Sequence, residues 1–116
     1  MSPLVDPAPL QRLRSDLGGD TMAQNRFVND FLALWHTREL RLHTALASAD
    51  LDDAHIVLLS IRSSSQMIGA VRLENTAGRL HSTLHDRDLP GCQRQMPRLS
   101  EVGVDTCLAL SRHIAR

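Results

Sequence analysis

Apolar residues recur along this chain at intervals of three and four, the spacing of a helix face, and no stretch makes a convincing strand. Residues 1–6 read as a flexible tail. From Pro7 the pattern turns helical, with Pro9 suited to a first turn, Leu10, Leu13 and Leu17 in helical register and Gly18-Gly19 as a stop. Asp20 is placed to cap a second element whose apolar positions are Phe27, Phe31, Leu34, Trp35, Leu42, Ala45, Leu46 and Ala49. That is about thirty residues of helical periodicity, longer than a typical globular helix, so a bend is predicted near Trp35-His36-Thr37.

Asp50-Leu51-Asp52-Asp53 opens a third element, with acidic groups at the positive end of its dipole. This helix runs to about Ile68 and is closed by Gly69. Another starts at Ala70 and carries Leu73, Ala77, Leu80 and Leu84 on one stripe. Asp86 to Gly91 reads as a turn-rich loop. A last helix carries Leu99, Val102, Thr106, Leu110 and Ile114, weakened by Pro97 and Gly103. Five or six helices in one chain predict an all-α, up-and-down bundle, a single domain over residues 7–116.

The chain has 116 residues, room for one domain and not for a multidomain enzyme. Aromatics amount to 3%, so the core falls to aliphatic side chains, and Phe27, Phe31 and Trp35 form a ridge assigned to it. Thirteen basic and thirteen acidic residues cancel, which leaves no basic field for nucleic acid. Every basic residue is Arg, so lysine chemistry is excluded. Cys92 and Cys107 fit no metal spacing and read as free thiols in a reducing compartment. With neither a signal peptide nor a membrane-spanning run, the expectation is a cytoplasmic protein that does not engage a membrane.

Residues 54–68 hold the most information. At about 100° per residue, Leu58, Ile61, Ser65 and Ile68 fall within about 40° of Ala54, with Val57 within about 60°. Leu59 and Ser63 fall about 140° and 180° away, flanked by His55, Arg62 and Gln66. A Leu with short neighbours on a solvent face offers a docking surface, since short side chains let a partner approach.

The run Ser60-Ile61-Arg62-Ser63-Ser64-Ser65-Gln66-Met67-Ile68-Gly69-Ala70 resembles the signature of histidine phosphotransfer (HPt) domains. In that family a His is followed three residues later by Lys, then by Gly and two small residues, and then by Gly-Ala at the next helix. Arg62 takes the Lys place, Ser63 the Gly place and Ser64-Ser65 the small pair, while Gly69-Ala70 matches. Leu13, Leu17-Gly18-Gly19-Asp20, Phe31-Leu32, Leu42, Ala45-Leu46 and Asp50 resemble the family's opening helices in order and spacing, so the likeness spans roughly residues 8–115. It implies a four-helix bundle with additional N-terminal helical cover.

The chain departs from the family at its centre. Leu59 stands where the phosphorylated His belongs. The imidazole attacks an aspartyl phosphate through a neutral nitrogen, and Leu has no lone pair to offer. Arg62 keeps a charge able to hold phosphoryl oxygens. The resemblance thus implies a signalling adaptor and not an enzyme: a monomer that needs no cofactor and binds a response-regulator receiver domain or a histidine kinase through His55, Leu59, Arg62, Ser63 and Gln66. Two other readings stay open. One is a phosphocarrier using His55, one turn upstream, and the other is a generic helical interaction protein.

The remaining signals have plainer explanations. His81 and His85, four residues apart, have the spacing of two metal ligands, with Asp86 or Cys92 as a third, but read as solvated histidines. His36 and His43 are assigned to solvent, Arg38, Glu39 and Arg41 to a solvated face, and His113 to the negative end of the last helix. Glu74 reads as exposed, with no partner carboxylate, and the Ser63–Ser65 run has no fixed base beside it.

Overall fold

The computed structural model describes residues 3–16, 18 and 21–114. Five helices follow one another: α1 (Pro7–Asp16), α2 (Thr21–Ala47), α3 (Leu51–Ile68), α4 (Val71–His85) and α5 (Leu89–Ile114). Each of α2 to α5 packs on its neighbour in sequence, and α5 returns to α2 to close a four-helix bundle. The short α1 lies across α2 and α3 as the N-terminal cover. The bundle measures 45 × 27 × 21 Å. Among the described residues no strand forms, and no helix is long and apolar enough to cross a membrane.

The long second element is one helix without a break at Trp35-His36-Thr37. Gln24, Val28, Phe31, Trp35, Leu42 and Ala45 are buried along it, and the half-buried Arg38 completes an alternating four-three spacing. That is a heptad seam, the register that keeps one stripe of a long helix facing the bundle. Phe27, assigned to the core, and Leu34, another apolar position of the predicted helix, lie one position off this seam and are exposed. Val28, not Phe27, is the buried residue of that turn. Arg38 is not on a fully solvated face either; burial lowers its guanidinium pKa. Arg41 reaches across to α3, where its Nε donates to Asp53 Oδ2 at 3.1 Å.

In α3 the buried residues are Ala54, Val57, Leu58, Ile61, Ser65 and Ile68, the stripe that the periodicity predicts. Asp50 caps it, its side chain accepting from the Asp53 N–H at 3.1 Å. Gly69 ends it at φ 79°, a left-handed conformation natural to glycine. A side chain there would also collide with the backbone of Asp6, whose N–H donates to the Gly69 carbonyl at 2.7 Å. The segment read as a flexible tail is therefore engaged at its end, and Val5 packs on the core. In α4, Leu73, Ala77, Leu80 and Leu84 are buried as expected.

The α4–α5 connection is shorter than the sequence suggests. Leu89, Pro90 and Gly91 already belong to α5, because a proline in a first turn has no intrahelical N–H to lose. Pro97 lies inside the helix on its exposed side. Gly103 is buried, and a Cβ on it would enter the Trp35 ring, so its smallness sets how closely α5 approaches α2. Leu17, Gly19, Asp20 and the side chain of His113 lie outside the described residues, and with them the Asp20 cap and the His113 dipole contact.

Candidate docking face

Helix α3 packs on α2 and α4, with α1 also against it, and its outward side carries exposed residues. Burial of its Ala54–Ile68 stripe fixes its rotation, and that rotation decides which residues face outward. Leu59 is 50% exposed. Ser63 and Gln66 are exposed beside it. Ile56 and Met67 are also more than half exposed, and both fall on the same open side, at about 200° and 220° from Ala54. Sequence reasoning singled out Leu59 and passed over Ile56 and Met67, although the same wheel places them. Three large apolar side chains around one small Ser form a patch, which is more informative than any exposed Leu alone.

His55 and Arg62 lie on the edge of this face nearest α4, and there the structure brings in a residue that the sequence left in solvent. His81 is half-buried against α3. Its Nε2 lies 2.7 Å from His55 Nδ1, and its Nδ1 lies 3.0 Å from Arg62 Nη1. The two rings tilt by 47° with centroids 4.7 Å apart. Helical spacing within α4 gave no sign of this, because the partners are 19 and 26 residues away. His85, one turn on, is exposed as expected, as are His36 and His43. Glu74 is half-buried, not exposed.

Hydrogen-bond chemistry orders the chain. A guanidinium only donates, so His81 Nδ1 must accept from Arg62 and carry no proton. Neutral His81 then holds its proton on Nε2 and donates it to His55 Nδ1. Neutral His55 is left with its proton on Nε2, and its only lone pair is already taken. Burial, and then the charges of His55, Arg62 and His85, lower the pKa of His81, so the neutral form persists to more acidic pH than usual.

An open groove of about 410 Å³ runs beside these groups, lined by His55, Arg62, His81, Ser82, His85 and Asp86. Among the described residues no three metal-ligating side chains converge. Cys92, weighed as a third ligand, is buried with its thiol 3.9 Å from the Leu80 carbonyl. A metal on His81 Nε2 would also force a proton onto Nδ1, against the guanidinium. Elsewhere Cys107 is half-buried and pushed up to about 11, first by burial and then by Glu39, so it is a poor nucleophile.

No family model matches this chain, and no curated protein matches it by sequence. Its structure is similar to the crystal structure of histidine-containing phosphotransfer protein B from Pseudomonas aeruginosa PAO1. The TM-score is 0.89 over 100% of this chain and 98% of that one, at 17% sequence identity. Likeness at that identity establishes the fold: five helices arranged as in a histidine-containing phosphotransfer protein.

Proposed function

We propose that this protein is a docking module of a two-component phosphorelay, binding a response-regulator receiver domain or a histidine kinase through the open face of α3 without carrying phosphate itself. The observation that carries the reading is the exposure of Leu59: the residue that the sequence resemblance aligns with the family's phosphorylated His is held half exposed among Ile56, Ser63 and Met67 by a helix whose opposite stripe is fully buried. The scaffold keeps the face while the chemistry is missing.

The carrier reading at His55 meets a specific obstacle. His55 is exposed, but its Nδ1 accepts from His81, its Nε2 holds the proton, and Arg62 is turned toward His81. A reacting nitrogen needs a free lone pair, and in this hydrogen-bonded arrangement the one on Nδ1 is engaged by His81.

The test uses purified receiver domains, both phosphorylated and unphosphorylated. Calorimetric titration is expected to find a receiver that binds the wild type and does not bind Leu59→Asp, because docking would bury an unpaired carboxylate. Incubation with the phosphorylated receiver should leave no acid-labile label on the protein. Label that disappears in His55→Ala would establish the carrier instead. Equal binding by wild type and Leu59→Asp would remove α3 as the docking face.

A further inference from the structure

We propose that His81 is the positioning residue of the docking face, a proton-sensitive latch that holds the Arg62 guanidinium against α4 and releases it toward Leu59 and Ser63 as the pH falls. The inference rests on the docking reading above and adds its regulation.

The latch follows from the order of protons. Arg62 donates to His81, and His81 donates to His55, only while both rings are neutral. A proton added to His81 Nδ1 points at a guanidinium that has nothing but donors. A proton added to His55 Nδ1 meets the N–H of His81, and turning that ring's proton around again sets an N–H against Arg62. Either addition breaks the chain at one of its two contacts. The charged groups around His81 are His55 and Arg62 from α3 and His85 from α4, with Asp86 on the wall of the same groove. His55, Arg62 and His85 all oppose a proton on His81, and a proton on Nδ1 points straight at Arg62, whose exposed side chain can move away from it.

Gly78 faces Arg62 from α4, where a Cβ would lie 3.8 Å from its Nε, so the guanidinium has room there, in a groove that the charged Glu74 and Arg79 of α4 also line. Arg62 and Leu59 are three residues apart on α3, within one turn. The freed guanidinium therefore reaches the edge of the apolar patch. There it suits a partner that presents clustered carboxylates or a phosphoryl group. Low pH should strengthen docking to such a partner, and high salt should weaken the gain.

Two variants separate the latch from general titration. His81→Gln keeps an acceptor for Arg62 but cannot be protonated, so the guanidinium stays parked. His81→Ala removes the acceptor, so the guanidinium is free at every pH. For a receiver that binds the wild type, affinity is expected to rise about fivefold between pH 7.5 and 5.5, the scale of one exposed ion pair. In His81→Gln it should stay low across that range, and in His81→Ala it should be high already at pH 7.5. The same rise in all three proteins would overturn the latch and leave docking intact. A readout without any partner is the ¹⁵N spectrum of the rings: both His55 and His81 are expected as Nε2–H tautomers at pH 7.5. A proton on His81 Nδ1 would overturn the latch outright. The expected tautomers together with no receiver binding at any pH would overturn the docking reading instead.

Discussion

Leu59 and Ile61 are two residues apart and belong to different energetics. Ile61 is 1% exposed, so Ile61→Ala removes buried methyl groups and leaves a cavity; the expected loss is about 2–5 kcal/mol in urea unfolding. Leu59 already faces water, so Leu59→Asp should change stability by less than about 1 kcal/mol. Thermal melts of the pair check this, and a large drop for Leu59→Asp would place Leu59 in the core. Ser65 shows the opposite kind of burial. Its hydroxyl is fully enclosed with no hydrogen-bond partner, although small size is what its position requires. Ser65→Ala keeps the size, removes an unpaired polar group and improves helix propensity, so a gain of about 1 kcal/mol is expected in denaturant midpoint experiments.

Among the elements, α2 and α5 approach closely at one point. Trp35 lies over Gly103, whose missing side chain makes room for the ring. On propensity alone Gly103→Ala would stabilise α5 by about 1 kcal/mol. Packing is expected to prevail, because an added Cβ forces the helices apart; the net loss should be about 1–3 kcal/mol. Far-ultraviolet circular dichroism through a urea titration measures it, and a gain would mean that the two helices part at little cost. The α3–α4 pair is joined differently, by the Arg62–His81–His55 chain at its solvent edge, which leaves that edge able to change with charge while the core beneath stays packed.

For the whole molecule, His81 links folding to pH. Its folded pKa lies below the ordinary imidazole value of 6.5, through burial first and neighbouring charges second. The unfolded chain therefore takes up this proton first as the solution is acidified. The contribution is complete above about 6.5 and is lost as the pH falls from there toward the folded value. Melting temperatures of wild type are expected to fall more steeply between pH 7.5 and 5.5 than those of His81→Gln, whose side chain does not titrate. Parallel curves would remove His81 from the linkage.

Local periodicity determined most of this fold. The stripe of α3, the Asp50 cap, the Gly69 stop and the apolar row of α4 were legible because each depends on residues within one or two turns. The same rotation of α3 made Leu59, Ser63 and Gln66 legible as an outward face. What failed were readings that needed a neighbour from elsewhere in the chain. Phe27 and Leu34 look like core by local spacing, but the seam facing α3 and α5 follows a heptad and runs through Val28. Proline and turn residues around Leu89 suggest a loop, but a helix start accepts them. His81 reads as solvent-facing until α4 is laid against α3, when its two nitrogens meet Arg62 and His55. A sequence shows which side of a helix is apolar, and only the packed bundle shows which polar atoms are left facing one another.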